Sequence, residues 1–132
     1  LILEKNYKLQ QSAETKTKIA ELNDKIERAT RIKNKLNDLK KEVKEHRTNS
    51  KNIFKEYSYW KGENNSKWEE KSESELISGS ITNCIKNIDD NIDRLIDKIT
   101  EMQNEVNSLG STLSVLENAI NSIAAAIEKL TN

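Results

Sequence analysis

Residues 81–109, ITNCIKNIDDNIDRLIDKITEMQNEVNSL, carry an apolar side chain at steps that alternate between four and three residues. The same spacing continues to residue 130, so one apolar stripe runs along the second half of the chain. This spacing is the heptad repeat of a helix that packs lengthwise against another helix. The stripe contains Ile81, Ile85, Ile88, Ile92, Leu95, Ile99, Met102, Val106, Leu109, Leu113, Leu116, Ile120, Ile123, Ile127 and Leu130.

The first half of the chain carries a weaker stripe. Two successive steps of three, at Ala29 and Ile32, predict a stammer, which is a local overwinding of a coiled coil. Before Ile19 the pattern blurs, although Ile2 and Leu9 keep a spacing of seven residues. The predicted first stripe contains Ile19, Leu22, Ile26, Ala29, Ile32, Leu36, Leu39, Val43, His46, Ser50, Ile53, Tyr57 and Trp60.

Residues that end and start helices separate the two stripes. Gly62 suits the position after a helix C-terminus, because glycine adopts a positive φ without steric cost. Ser66 to Glu69, SKWE, matches a capping box, whose side-chain oxygens accept hydrogen bonds from the free N–H groups of a first helical turn. A turn between two heptad stripes predicts that the chain folds back on itself.

We therefore predict an all-α fold, a long antiparallel helix-turn-helix hairpin with coiled-coil-like packing. Residues 1–132 form one domain, with helix one at about 3–58, the turn at about 59–66 and helix two at about 67–130. Gly79 is the weak point of helix two, since glycine costs about 1 kcal/mol relative to alanine in a helix. A kink or a short break there, giving three helices, stays open.

Composition and charge agree with this fold. The chain has no proline, and apolar residues make up 34%, which is enough for narrow helical stripes but not for a thick core. Residues 1–56 hold 15 Lys/Arg and 9 Asp/Glu, whereas residues 57–132 hold 7 and 13. The resulting charges of +6 and −6 favour two halves that lie side by side. No apolar run is long enough for a membrane span, and no cleavable signal peptide is visible.

The residues that usually carry catalysis or bind metals are scarce. The only histidine and the only cysteine, His46 and Cys84, are far apart in sequence, and we interpret both as structural. The acidic run Asp89 to Asp93 lacks the glycine and the terminal glutamate of a calcium loop, which favours a solvated helix face. We predict no enzyme, no cofactor and no metal site.

Residues 25–55 hold 11 Lys/Arg against 4 Asp/Glu, the main indication of nucleic-acid binding. The acidic residues are interspersed, however, and no aromatic residues alternate with the cations to stack on bases. Pairing with the acidic second half explains these charges, so we predict no nucleic-acid partner and keep this function as a minor alternative.

The far end of the second stripe indicates a protein partner. Residues 113–130, LSVLENAINSIAAAIEKL, add Val115 and several alanines to the stripe, which becomes wider than one partner helix covers. A hairpin would bring this end close to the N-terminal LIL. We predict that helices of another protein complete a bundle here, with self-packing or a homodimer as the alternative. The candidate partner-binding residues are Leu113, Leu116, Ile120, Ile123, Ile127, Leu130, Ile2 and Leu9.

The turn carries a family resemblance. Trp60-Lys61-Gly62 is a W-x-G tripeptide between two long helices, and in this it resembles the WXG-motif helical hairpins of bacterial type VII secretion. The chain is longer than the core members of that family. Its longer hairpin and basic first helix look more like the small α-helical partner proteins of LXG polymorphic toxins.

This resemblance implies a non-catalytic partner or targeting chaperone. It would bind the helical N-terminal domain of an LXG-type toxin, with a second small helical partner left open, and support export by the Gram-positive type VII machinery. Trp60 and Gly62 become the candidate recognition motif for that machinery. The implied location is the bacterial cytoplasm before export, and a signal-peptide-independent exit together with the toxin stays open. The remaining alternative is a structural, homodimeric coiled-coil protein.

The export signal of this family, Y-x-x-x-[D/E] after the last helix, does not occur at the C-terminal end of the sequence. Tyr59 to Glu63 has the required spacing, but it overlaps the turn. We therefore expect the toxin or a second companion to supply the signal.

Overall fold

Two long helices make up the structure. The computed structural model describes the backbone of residues 1–61 and 66–131, and the side chains of residues 1–49, 52 and 75–131. Helix α1 spans Ile2–Lys61 and helix α2 spans Ser66–Thr131. They pack against each other as a helical hairpin, and no strand occurs among the described residues, so the predicted all-α fold class is confirmed.

The helices reach slightly further than the expected bounds. The predicted turn at 59–66 overlaps both of them, because residues 59–61 belong to α1 and Ser66 begins α2. The side chains of Ser66 and Glu69 lie outside the described residues, so the capping box stays a prediction. The assignment of residues 1–132 to a single domain also stays a prediction.

Helix α2 runs without a break through Gly79, so the alternative with three helices is wrong. A Cβ atom added at Gly79 would meet nothing within 4 Å, so no close backbone approach requires glycine at this position. The stripe that begins at Ile81 packs the helix from the next turn onward. This packing outweighs the cost of about 1 kcal/mol that one glycine imposes on a helix.

The chain forms two compact units, each made of one part of α1 and one part of α2. Unit one contains residues 1–30 and 97–132, and unit two contains residues 31–96. Each has its own buried isoleucines: Ile99 and Ile123 in unit one, and Ile88 and Ile92 in unit two. The core of each unit is therefore a narrow line of side chains between two helices.

The stripe of α2 is confirmed along most of its length. Every predicted position from Ile81 to Ile127 is buried or half-buried, and only the final member, Leu130, is exposed. A strict alternation of four and three residues keeps these side chains on one face, and that face is the one that α1 covers.

The predicted stripe of α1 is wrong in part. Ile32, Leu39 and His46 are exposed, while the residue that follows each of them is half-buried. The face toward α2 therefore keeps a regular alternation of three and four, and the predicted stammer does not occur. This face also continues before Ile19, through polar side chains. The covered positions are Lys5, Lys8, Ser12, Thr15, Ile19, Leu22, Ile26, Ala29, Lys33, Leu36, Lys40, Val43 and Arg47.

The physical reason lies in the side chains that occupy these positions. Lysine and arginine can lay their methylene stems along an apolar surface while the charged end stays in water. Ser12 and Thr15 are small enough to be buried, at 5% and 8% exposure, and the Thr15 hydroxyl donates a hydrogen bond of 2.8 Å to the carbonyl of Gln11. The covered face of α1 is thus the one that follows the continuous stripe of α2, and it includes only some of the isoleucines and leucines of α1: Ile19, Leu22, Ile26 and Leu36 lie on it, whereas Ile32 and Leu39 do not.

Charge pairs between the helices agree with an antiparallel arrangement. Lys16 pairs with Glu117 at 3.8 Å in unit one, and Lys40 pairs with Asp89 at 2.5 Å in unit two. The later residue of α1 pairs with the earlier residue of α2. Because the Lys16–Glu117 pair is more than half exposed, it contributes at most about 1 kcal/mol, and its main effect is on register and orientation.

Candidate partner-binding surface

The N-terminal residues of α1 and the C-terminal residues of α2 enclose an open apolar groove in unit one. It has a volume of about 450 Å³, and we call it the terminal groove; it is lined by Leu1, Ile2, Leu3, Ile127, Leu130 and Thr131. Leu3 is 85% exposed and Leu130 is 75% exposed. Contiguous exposed side chains of this size are typical of a surface that another protein covers.

The heptad positions explain why this groove is open. Near the start of α1, half-buried Lys5 and Lys8 occupy the face toward α2, and the apolar residues lie beside that face. Ile2 and Leu9 are seven residues apart and therefore share one flank of the helix. They are 63% and 45% exposed, because a single facing helix covers only the central line of the stripe.

The structure brings together three of the predicted partner-binding residues. Ile2, Ile127 and Leu130 line the terminal groove, whereas Leu9 is exposed outside its lining. The half-buried Leu113, Leu116 and Ile120 belong to the stripe that faces α1. Each of these three side chains is therefore only partly accessible to another protein.

The structure removes Ile123 from the predicted partner-binding surface. It is only 9% exposed and is one of the buried isoleucines of unit one. Its place in the central line of the stripe directs it toward α1. Ile123 therefore stabilises the pair of helices, and a partner that leaves this pair intact does not reach it.

Unit two carries a second apolar feature, which the prediction of the site missed. Ile32 and Leu39 are 51% and 44% exposed, and they are contiguous with the half-buried Leu36 and Val43. We call these four residues the lateral stripe. Their spacing in the sequence predicts an apolar stripe on α1. It does not predict whether this stripe faces α2 or solvent.

Polar chemistry is sparse in the part of the chain that the structure describes. No group of three or more His, Cys, Asp or Glu side chains is placed to hold a metal ion there. Cys84 does not have the structural packing role that we predicted from the sequence, since its free thiol is exposed. Of the predicted solvated acidic face, Asp90 and Asp93 are exposed, while Asp89 is half-buried and pairs with Lys40.

None of the helical segments within the described ranges combines the length and the apolarity that crossing a membrane would require. The candidate recognition motif cannot be placed on this surface, because Gly62 and the side chain of Trp60 lie outside the described residues.

Comparison with known protein families, with curated proteins and with solved structures finds no match.

Proposed function

We propose that this chain is a non-catalytic partner, or targeting chaperone, of a toxin that leaves the cell by type VII secretion. The toxin would be of the LXG type, and the chain would bind its helical N-terminal domain. The observation that carries the proposal is the terminal groove, where Leu1 to Leu3 and Leu130 are exposed at the end of a helical pair. The W-x-G tripeptide and the hairpin fold support the choice of family.

The mechanism is completion of a helical bundle. A toxin helix would lie in the terminal groove and cover Ile2, Leu3 and Leu130, which the two helices of this chain leave open. Full burial of one such side chain stabilises a complex by about 1.5–3 kcal/mol before the cost of association. The chain would in turn shield an apolar helix of the toxin before export, in the bacterial cytoplasm.

The proposal extends to the secretion machinery. Trp60 and Gly62 would form its recognition element, and a second small helical protein would join the complex where the toxin domain leaves apolar surface open. The chain itself would travel with the toxin by a route that needs no cleavable signal peptide.

Co-purification tests the groove. The full chain is co-expressed with the helical N-terminal domain of a candidate LXG toxin, and size-exclusion chromatography with light scattering gives the stoichiometry. We expect a stable complex in which the double variant Ile2→Gln, Leu130→Gln binds at least about tenfold more weakly, a loss of about 1.4 kcal/mol. Leu76→Gln is the matched control, because Leu76 is an equally exposed leucine, at 72%, outside the groove.

Two other results would contradict the proposal. A stable homodimer that ignores the toxin domain supports the structural coiled-coil protein instead. Retention of labelled DNA or RNA that falls steeply with salt supports nucleic-acid binding, because such binding depends on the release of counterions from phosphates.

Trp60→Ala tests the recognition motif separately. We expect the helical content and the complex with the toxin to stay unchanged while export of the toxin falls. Circular dichroism and the amount of toxin in the culture medium measure the two effects. Unchanged export would leave Trp60 as a packing residue without a role in recognition.

A further inference from the structure

We infer that the partner helix binds to one side of unit one only, and that the edges of its own apolar face are uncharged. The binding side lies between α1 and α2, and we call it the apolar flank; it consists of Ile2, Leu9, Ala124 and Thr131. The apolar flank ends in the terminal groove, so this site rests on the proposed function in one respect, namely that its occupant there is a helix of a partner protein.

The ion pair between Lys16 and Glu117 shows which residues face each other on this side. The Nζ and Oε1 atoms of the pair are 3.8 Å apart, across two antiparallel helices. One heptad closer to the N-terminal end of α1 and to the C-terminal end of α2, the same side carries Leu9 and Ala124. Leu9 is 45% exposed and Ala124 is half-buried. A large and a small apolar residue are therefore opposite each other in this register.

The register continues for one more heptad. It places Ile2 opposite Thr131, and both residues line the terminal groove, which agrees with this register. Ile2 is 63% exposed. From Ile2 to Lys16 the side measures roughly 21 Å at 1.5 Å per residue, so a helix of about two heptads would lie along it.

The opposite side of unit one is polar on α1. The positions toward that side are Glu4, Gln11 and Lys18, each of which directly precedes a residue that faces α2. The positions across from them on α2 include Ala119 and Ala126. A helix bound there would take the charges of Glu4 and Lys18 out of water, which costs free energy. The four residues of the apolar flank carry no charge, so this is the side that a partner helix covers.

The residues beside the apolar flank favour a helix with uncharged edges. At 100° per residue, Asn6 and Ala13 border it on α1, and Asn121 and Glu128 border it on α2. Because only one of these four residues is charged, charged side chains beside the apolar face of a partner helix would gain little from them. The ion pair at the inner end of the flank adds one charge of each sign. Apolar burial therefore provides the affinity, and a polyanion would meet no cation among these four residues.

The size of the apolar flank argues against a second copy of this chain as its occupant. A surface roughly 21 Å long and two helices wide, or about 20 Å, offers each copy about 400 Å². Stable dimers bury about 800 Å² on each partner. A single helix that lies between α1 and α2 contacts both of them, and it therefore buries more of its own surface than a flat contact of the same length does.

A designed peptide serves as the probe. It is about three heptads long, with leucine at the a and d positions and glutamine at the e and g positions, so the edges of its apolar face are uncharged. Fluorescence anisotropy measures the binding of the labelled peptide to the full chain at low and at high salt. We expect a Kd that changes less than about twofold between the two, because salt screens charge pairs and leaves apolar contacts intact.

Two alanine positions then locate the binding side. Ala124→Lys puts a charge into the apolar flank and should weaken binding of the peptide at least about tenfold. Ala119→Lys is the matched control, because it makes the same change at a half-buried alanine of unit one on the opposite side, and it should leave the Kd unchanged. Leu9→Gln changes an exposed position and should weaken binding as well. Circular dichroism checks that each variant keeps its helical content.

Four results would overturn the inference: no binding of the peptide, equal weakening by Ala124→Lys and Ala119→Lys, a steep fall of affinity with salt, or self-association of the chain that Ala124→Lys abolishes. The toxin domain tests the proposed function separately. If the toxin domain does not bind while the peptide binds to the apolar flank, the proposed function is wrong and the site stands. If the toxin domain binds and the peptide does not, the site is wrong and the proposed function stands.

Discussion

At the scale of single residues, Gly79 gives the sharpest test of the helices. It is exposed on α2, an added Cβ would meet nothing within 4 Å, and the helix passes through it unbroken. Alanine should therefore fit without strain and raise the free energy of unfolding by about 1 kcal/mol, since it loses less backbone entropy than glycine on folding. Chemical denaturation followed by circular dichroism measures this gain.

Gly79→Pro is the opposing control at the same position. Proline removes a helical hydrogen bond and clashes with the preceding turn, so this variant should lose about 3 kcal/mol. A proline variant as stable as the parent chain would mean that α2 is interrupted at residue 79.

At the scale of the helices, α2 could be predicted from the sequence and α1 could be predicted only in part. Apolar side chains occupy every heptad position of α2 from Ile81 to Ile127, so only one face can be its buried face. In α1 the apolar residues fit two overlapping lines, one through Ile32 and Leu39 and the other through Leu22 and Leu36. Spacing alone does not choose between them, because lysine stems can also cover an apolar partner.

The candidate partner-binding surface could also be predicted from the sequence only in part. Ile2 and Leu130 could be predicted as exposed, because they are apolar residues at the open ends of the two stripes. Ile123 has the same heptad spacing as they have, but its burial depends on how far α1 covers α2. Ser12 and Thr15 gave no signal in the pattern, since polar residues count against a buried stripe until the facing helix is known.

The polar positions on the inner face of α1 lead to a prediction about stability. Lys33 is half-buried toward α2, so Lys33→Leu should raise the free energy of unfolding by about 1 kcal/mol through burial of additional apolar area. Lys41→Leu is the matched control, because Lys41 is exposed and its replacement should change stability little. An equal gain in both variants would indicate a general effect of leucine on helix propensity. The measurement is urea denaturation at several protein concentrations, which excludes stabilisation by self-association.

At the scale of the whole chain, the two compact units predict local unfolding. Ile92 in unit two and Ile123 in unit one are each buried within their own unit, at 8% and 9% exposure. Replacement by alanine should cost about 2 kcal/mol at either position, near the lower end for a buried isoleucine, because so narrow a core can partly close around the gap. Because each residue belongs to the buried line of one compact unit, we expect the loss of stability to be local.

Hydrogen exchange followed by mass spectrometry distinguishes a local from a global loss of stability. Ile92→Ala should speed exchange mainly between residues 75 and 96, and Ile123→Ala mainly between residues 100 and 127. Ile→Val at the same two positions supplies a graded control, with about half the effect or less. Equal acceleration along all of α2 in both variants would show that the chain unfolds as one cooperative unit. In that case a partner bound in the terminal groove would stabilise unit two as well, whereas locally unfolding units would confine this gain in stability to unit one.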